Sequence, residues 1–278
     1  HGKFRRQRQM CIRDRLDGLR QLKLEEPNQE TAFEILREVA RNRLGKRRKL
    51  SVDALKRIDA LHRRYLGYSA HPGKPVRFLE RLLFDAKGGN PLQVEKVNAA
   101  FSAETGLPLS LLEDSIPLDL DETKSWFLGR LMGQDRAVDL VVDTIAMIKA
   151  RLARPGKPLG SFLFVGPTGV GKTELAKNLA EFFYGSRERM IRIDMSEYNS
   201  PGSATRLVNS NAQDNEGILT AQMRDQPFSV ILLDEFEKAD PQVFDLFLQV
   251  LGEARLTDGA GRVADFSNAI VILSLIHI

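Results

Sequence analysis

One glycine-rich stretch has the residue types and spacing of a phosphate-binding loop. It follows an apolar run over residues 161–165 and precedes a helical pattern over residues 174–180, which is the context that such a loop requires. Glycines allow the backbone to curl so that successive N–H groups point at phosphate oxygens, and the positive end of the following helix adds to that field. The residues of the loop are Gly166, Pro167, Thr168, Gly169, Val170, Gly171, Lys172 and Thr173.

The last residues of this loop carry most of its chemistry. We expect the N–H groups of Gly169, Val170 and Gly171 to point at the phosphates of a nucleoside triphosphate. The ammonium of Lys172 is expected to reach the β- and γ-phosphates, and the hydroxyl of Thr173 to bind Mg²⁺. A chance match in a glycine turn is the alternative, which the agreement of strand, loop and helix disfavours.

A second apolar run ends in two acidic residues. Residues 230–233 are Val, Ile and Leu, and Asp234 and Glu235 follow directly. Such a run is typical of a buried parallel strand, whose carboxyl end lies at the edge where open α/β sheets bind ligands. We expect Asp234 to hold the Mg²⁺ shell and Glu235 to orient or polarise the attacking water. Alone, this ending would indicate a solvated edge, but with the phosphate loop it predicts an ATPase site.

These residues need a parallel sheet to bring them together. Four apolar segments predict strands over residues 161–165, 190–194, 229–234 and 269–273, with helices between them. This alternation predicts an α/β fold, a doubly wound parallel sheet with helices on both faces. A long amphipathic helix is predicted before the first strand. Its apolar face consists of Ala137, Val138, Val141, Ile145, Ile148 and Leu152.

The preceding part of the chain predicts a small all-helical unit over residues 16–90. Asn28 and Ser51 are placed to cap two of its helices. His62 and His71 lie in this unit without partners in the sequence, so surface or structural roles are favoured over metal binding.

Residues 91–132 are predicted to form a junction. Gly106 is expected to stop a helix, and residues 107–117 to form an extended linker that contains two prolines. Trp126, the only tryptophan, is interpreted as a packing residue.

The composition excludes several classes of protein. The chain has 278 residues, 42% hydrophobic and 28% charged, and no apolar run approaches the ~20 residues needed to cross a bilayer. The single cysteine, Cys11, excludes an internal disulfide framework and favours a reducing, cytoplasmic location. The net charge is +4. A basic run lies at residues 41–49, but no aromatic residues are interleaved with it, so a solvated surface or subunit contact is favoured over nucleic acid.

Both ends of the chain look foreign to the rest. Residues 1–15 and 275–278 resemble translated sequencing-adapter sequence, so we exclude them from the fold prediction. We expect the remainder to be an internal fragment of a longer protein.

Several long motifs resemble, in the same order, the second ATPase module of Clp-type AAA+ unfoldases, the ClpA/ClpB group. They are SFLFVGPTGVGKTELAKNLA (161–180), IRIDMSEY (191–198), SVILLDEFEKADPQVFD (229–245) and GEARLTDGAGRVADFSNAIVIL (252–273). The resemblance implies a P-loop AAA+ nucleotide-binding domain over residues 133–274, with ATP and Mg²⁺ as cofactors. It also implies a homo-oligomeric ring that remodels protein substrates, with adaptors or a protease as further partners, and no membrane or nucleic acid.

The resemblance extends to the first half of the chain. Residues 16–90 look like the helical lid that ends the family's first module, and residues 91–132 look like the linker between its modules. The segment 130–139 is similar to the segment that packs on adenine, which implies that Leu131 and Met132 lie near the base.

Departures from the family pattern qualify this expectation. The loop over residues 208–215 has no aromatic residue or glycine to grip a threaded polypeptide, which favours as an alternative a nucleotide-dependent assembly scaffold that threads nothing. No long insertion follows Leu83, which disfavours a ClpB-like disaggregase.

The family's arginine finger and second lid would lie beyond Leu273. Because such a finger is worth about 10³–10⁵ in rate, we expect the isolated chain to bind nucleotide weakly and hydrolyse ATP slowly.

Overall fold

The computed structural model describes residues 26–44, 51–66, 71–85, 92–113, 117–150, 152, 156–209 and 217–277. Predictions for residues 1–25, for the basic run beyond residue 44 and for positions 210–215 of the polar loop lie outside these ranges. Within them, no helix is long and apolar enough to cross a membrane.

A four-stranded parallel sheet forms the centre of the fold. In chain order, the strands of the protein are β1 (Gly160–Val165), β2 (Met190–Asp194), β3 (Val230–Asp234), β4 (Arg255–Thr257), β5 (Val263–Asp265) and β6 (Ile270–Leu275). The parallel sheet has the order β1–β6–β3–β2, and β4 pairs with β5 in a separate antiparallel hairpin. The predicted parallel strands are therefore confirmed, with small shifts at their ends.

The residues of the central strand alternate between two hydrophobic cores. Val230 and Leu232 of β3 belong to one core, whereas Ile231 and Leu233 belong to the other. Because successive side chains of a strand point to opposite faces, both faces of the sheet are covered. The doubly wound arrangement predicted from the alternating pattern is confirmed.

Helices supply the rest of both cores. They are α1 (Gln29–Leu44), α2 (Val52–Tyr65), α3 (Gly73–Asp85), α4 (Val94–Thr105), α5 (Leu109–Leu112), α6 (Leu120–Leu128), α7 (Asp135–Lys149), α8 (Lys172–Tyr184), α9 (Thr205–Val208), α10 (Ile218–Asp225) and α11 (Pro241–Glu253). One core joins α1–α8 to the sheet, so the helical unit and the sheet share buried surface. The other core contains α9–α11 and the hairpin.

The junction is more ordered than predicted. Gly106 ends α4 in the left-handed conformation, as expected, but residues 109–112 form the short helix α5 instead of an extended linker. The ammonium of Lys149 donates to the carbonyl oxygens of Ser110 and Glu113, which satisfies groups that a helix end leaves unpaired. A local sequence pattern cannot show this distant donor.

Side-chain predictions in the helices have mixed outcomes. The Oδ1 of Asn28 accepts from the N–H of Thr31 at 2.8 Å, so this cap is confirmed, whereas Ser51 occupies the cap position without a side-chain hydrogen bond. His62 and His71 are both buried, so the surface alternative is wrong and a structural role remains. Leu152 lies beyond the end of α7 and is exposed, so its predicted place on the apolar face is wrong.

Candidate nucleotide-binding site

The glycine loop leaves β1 and enters α8 directly, as the sequence predicts. Gly169 and Gly171 have φ angles of 87° and 103°, a left-handed region that glycine enters without steric cost. The Nζ of Lys172 donates to the carbonyl oxygens of Gly166 and Pro167 within the same loop, the latter at 3.0 Å. The ammonium is therefore held within its own loop by two carbonyl oxygens.

A cavity of about 350 Å³ lies at the carboxyl edge of the sheet. It is lined by Thr168, Gly169, Gly171, Lys172, Thr173, Glu174, Lys177, Arg192, Asp234, Glu235 and Ile276. The structure thus brings together the predicted ammonium, hydroxyl and two acids, which come from the start of α8 and the end of β3. Gly166, Pro167 and Val170 belong to the same loop but do not line the cavity.

Each acidic side chain of this cavity makes an ion pair. The Oδ2 of Asp234 lies 2.7 Å from a guanidinium nitrogen of Arg192, and the Oε2 of Glu235 lies 2.6 Å from the Nζ of Lys238. Glu174 pairs with Arg187. The hydrogen bond that Lys238 donates to Glu235 raises the pKa of Lys238. Each of the three acids of the cavity is therefore held by a cation in the structure.

Glu235 has an unusual backbone conformation. Its φ angle is 53°, in the left-handed region that residues other than glycine rarely adopt. Such conformations cost of order 1–3 kcal/mol and cluster at functional sites. The turn redirects the chain straight after Asp234, so the two consecutive acids both reach the cavity.

A further acid stands beside the predicted pair. Asp194 ends β2 and lies directly opposite Asp234 in the register of the sheet. Its carboxylate accepts from the hydroxyl and the N–H of Ser196, and these hydrogen bonds lower the pKa of Asp194. This second carboxylate lies beside the end of β3 but does not line the cavity.

A separate apolar cavity of about 290 Å³ adjoins the glycine loop. Leu131, Val170, Gly171 and Leu175 are among its lining residues, and the amide of Gln134 donates to the carbonyl oxygen of Val170 at 3.2 Å. Its size and lining suit a flat aromatic group.

The two residues predicted near adenine differ in burial. Leu131 is 6% exposed and lines the apolar cavity, whereas Met132 is 90% exposed and does not line it. A larger groove of about 730 Å³ lies elsewhere, between α1 and α2, and contains none of the predicted site residues.

Sequence reasoning missed two cations of the phosphate cavity. Arg192 lies within β2 and Lys177 lies in α8, and both line the cavity. Lys177 could have been found from its position on the first turns of the phosphate-loop helix. No sequence signal marks Arg192, since its approach to Asp234 depends on the pairing of β2 with β3.

The donor set of the cavity fits Mg²⁺. A threonine hydroxyl and a carboxylate are hard oxygen ligands, and Mg²⁺ in nucleotide sites keeps several waters and takes only one or two carboxylates from the protein. Among the described residues, no group of three or more His, Cys, Asp or Glu side chains could hold a metal ion by itself. The arrangement therefore suits an ion that arrives with phosphate oxygens.

This fold and site define a P-loop nucleotide-binding domain of the AAA+ class. Residues 157–275 match the family profile described as AAA domain (Cdc48 subfamily). The chaperone protein ClpB of Vibrio vulnificus (strain YJ016) is 44% identical over 66% of this chain. ClpB of Staphylococcus aureus (strain COL) is 46% identical over 65% of it. The chain belongs to the Clp-type AAA+ ATPases, the ClpA/ClpB group.

Solved structures agree with this assignment. A closed-state structure of Hsp104 with ATPγS and FITC casein has a TM-score of 0.78 and 29% identity, and it covers 92% of this chain and 46% of that one. An extended Hsp104:casein complex of S. cerevisiae has the same TM-score and identity and covers 97% of this chain and 48% of that one. The chain spans 22% of the length of the ClpB of V. vulnificus and 21% of that of S. aureus.

Proposed function

We propose that the chain binds ATP with Mg²⁺ and hydrolyses it, as the nucleotide-binding module of a Clp-type ring that remodels proteins. One observation carries this proposal: Lys172, Thr173, Asp234 and Glu235, from two distant segments, line a single cavity of about 350 Å³. The neighbouring apolar cavity supports adenine binding at Leu131, whereas Met132, also expected near the base, does not line it.

Each site residue has a role that follows from its chemistry. Lys172 would exchange its loop carbonyls for phosphate oxygens, and the N–H groups of Gly169, Val170 and Gly171 would donate to the same group. Thr173 and Asp234 would hold Mg²⁺, which supplies charge neutralisation at the phosphates. Glu235 would then orient a water for in-line attack on the γ-phosphate.

The ion pair of Glu235 bears on its proposed role. The Nζ of Lys238 lies 2.6 Å from the Oε2 of Glu235. A general base must face the water that it orients, so Glu235 would leave Lys238 when ATP binds. This restraint is one reason to expect slow hydrolysis by the isolated chain.

The test is the replacement of Glu235 by Gln. We expect Glu235→Gln to bind ATP at least as tightly as the unaltered chain and to hydrolyse it about 10²–10⁴-fold more slowly, the usual contribution of a positioned base. Lys172→Ala should lose binding itself. Glu253→Gln, which alters an exposed acid of α11, is the matched control and should leave both quantities unchanged. Equal turnover by Glu235→Gln and the unaltered chain would contradict the assigned role.

The alternative of an assembly scaffold has one observation in its favour, the polar sequence at residues 208–215. A remodelling ring should bind an unfolded polypeptide, such as fluorescein-labelled casein, more tightly with ATP than with ADP. A scaffold should change only its oligomeric state with nucleotide, which sedimentation velocity measures. Protein substrates, adaptors, a protease partner and a cytoplasmic location belong to the remodelling proposal.

A further inference from the structure

The ion pair between Arg192 and Asp234 occupies the proposed metal ligand. A guanidinium nitrogen of Arg192 lies 2.7 Å from the Oδ2 of Asp234. The side chain of Asp234 is 15% exposed, whereas that of Arg192 is 53% exposed, so the acid is fixed and the arginine has room to move. Both residues line the phosphate cavity.

A guanidinium and a magnesium ion compete for one carboxylate on two grounds. A carboxylate oxygen that accepts a charge-assisted hydrogen bond has fewer lone pairs left for a metal ion. A cation fixed 2.7 Å from that oxygen also repels a divalent ion at the same place. Asp234 can therefore offer both carboxylate oxygens to Mg²⁺ only after Arg192 has moved away.

The surroundings offer Arg192 no other acid in the cavity. Glu174 already pairs with Arg187, and Glu235 with Lys238. The carboxylate of Asp194, at the end of the same strand, accepts two hydrogen bonds from Ser196. A displaced Arg192 therefore enters solvent or meets the phosphate groups of a nucleotide, and an incoming Mg²⁺ ion would favour that move by competing for Asp234.

We propose that Arg192 is a positioning residue that keeps the carboxylate of Asp234 paired until Mg²⁺ arrives. This inference rests on the nucleotide-binding function proposed above. Arg192 holds the carboxylate in the arrangement that the structure shows and would release it when Mg²⁺ enters with the nucleotide. As a consequence, Mg²⁺ alone binds poorly to Asp234. The metal ion binds together with the nucleotide, because the metal-bound nucleotide is needed to open the ion pair.

The test compares binding of a fluorescent N-methylanthraniloyl-ADP with Mg²⁺ and with EDTA, at constant ionic strength. The quantity of interest is the ratio of the two dissociation constants, which isolates the effect of the metal ion. We expect Arg192→Gln to increase the gain from Mg²⁺ by about two- to fivefold, the range for a partly exposed ion pair. Arg192→Lys should stay near the unaltered chain, since an ammonium still pairs with Asp234.

Lys177→Gln is the matched control, because it removes a cation of the same cavity that does not contact Asp234 in the structure. It should weaken binding about equally in both buffers and leave the ratio unchanged. An unchanged or smaller ratio in Arg192→Gln would overturn this inference while leaving nucleotide binding intact. No binding by the unaltered chain in either buffer would overturn the proposed function as well.

A measurement on the unaltered chain makes the test independent of how the variant folds. The side-chain Nε resonance of Arg192 can be followed by ¹⁵N NMR while Mg²⁺ is added to the ADP-bound protein. The inference requires this resonance to move at the Mg²⁺ concentrations that tighten ADP binding. A resonance that stays fixed through that titration would show that the pair remains closed and would overturn the inference.

Discussion

Gly106 and Tyr184 lie in contact where the end of α4 meets the end of α8. A Cβ atom added to Gly106 would lie 2.5 Å from the carbonyl oxygen of Tyr184, closer than real Cβ contacts come. Gly106 also has a φ angle of 81°, in the left-handed region. The glycine therefore ends α4 and lets that helix approach the end of α8.

We expect Gly106→Ala to destabilise the protein for both reasons. The left-handed backbone costs about 1–2 kcal/mol for alanine, and the forced displacement of a main-chain neighbour adds about 1–3 kcal/mol. Gly202→Ala is the matched control, since Gly202 has a φ angle of 80° but nothing within 4 Å of an added Cβ. Urea unfolding of the two variants measures the difference, and equal losses would show that the contact with Tyr184 carries no energy.

Asp258 supports the turn between β4 and β5. Its carboxylate is fully buried and accepts from the N–H groups of Ala260 and Arg262 and from the guanidinium groups of Arg224 and Arg262, at 2.8–3.0 Å. Burial opposes ionisation, but the hydrogen bonds from Arg262 and the neighbouring charges outweigh it, so the pKa of Asp258 is lowered. We expect Asp258→Asn to reduce the unfolding free energy by about 1–3 kcal/mol at neutral pH.

The same residue gives a pH dependence with a definite sign. A carboxyl group whose pKa is lower in the folded protein stabilises it above the unfolded pKa of about 3.9, and that stabilisation is lost as the pH falls through the folded value. The difference between the unaltered chain and Asp258→Asn should therefore shrink below about pH 4. A difference that stays constant down to pH 3 would contradict the assigned ionisation of Asp258.

The parallel sheet and most of the phosphate site could be predicted from sequence, because both depend on local patterns. Continuous apolar runs identify buried strands, and the glycine loop between strand and helix fixes where Lys172 and Thr173 lie. Asp234 and Glu235 follow from the rule that ligands bind at the carboxyl ends of strands.

The features of the fold and site that could not be predicted from the sequence depend on contacts between distant residues. The hairpin of β4 and β5 was not predicted, since strands of three residues are too short to show a period of two. The pair of Arg192 and Asp234 depends on the register of two strands, which apolar runs do not encode. The left-handed backbone of Glu235 is likewise held by its surroundings. Position 235 is not a glycine, so the sequence does not predict a positive φ angle there.

Leu131 and Gly171 make a contact that joins the apolar cavity to the phosphate loop. A Cβ atom added to Gly171 would lie 2.8 Å from the Cδ1 of Leu131, and the φ angle of Gly171 is 103°. We expect Gly171→Ala to push Leu131 out of the cavity and to weaken N-methylanthraniloyl-ADP binding. Because the contact involves a flexible side chain, Leu131→Ala should relieve part of that cost.

A double-mutant cycle measures this coupling. The combined variant should bind more tightly than the sum of the two single losses predicts, by about 0.5–2 kcal/mol. Gly169→Ala, with a φ angle of 87° and nothing within 4 Å of an added Cβ, should show no coupling to Leu131→Ala. Strict additivity for the Gly171 pair would mean that the two residues act separately.

Asn178 in α8 is a buried polar residue without a hydrogen bond. Its side chain is 1% exposed, and neither amide atom has a partner among the described residues. Leucine has the same branched shape, and replacing an unsatisfied buried group by an apolar one removes a desolvation penalty of about 1–3 kcal/mol. We expect Asn178→Leu to raise the midpoint of thermal unfolding, whereas Asn178→Asp, which buries a charge, should lower it. A midpoint that falls in both variants would show that the pocket around Asn178 is polar.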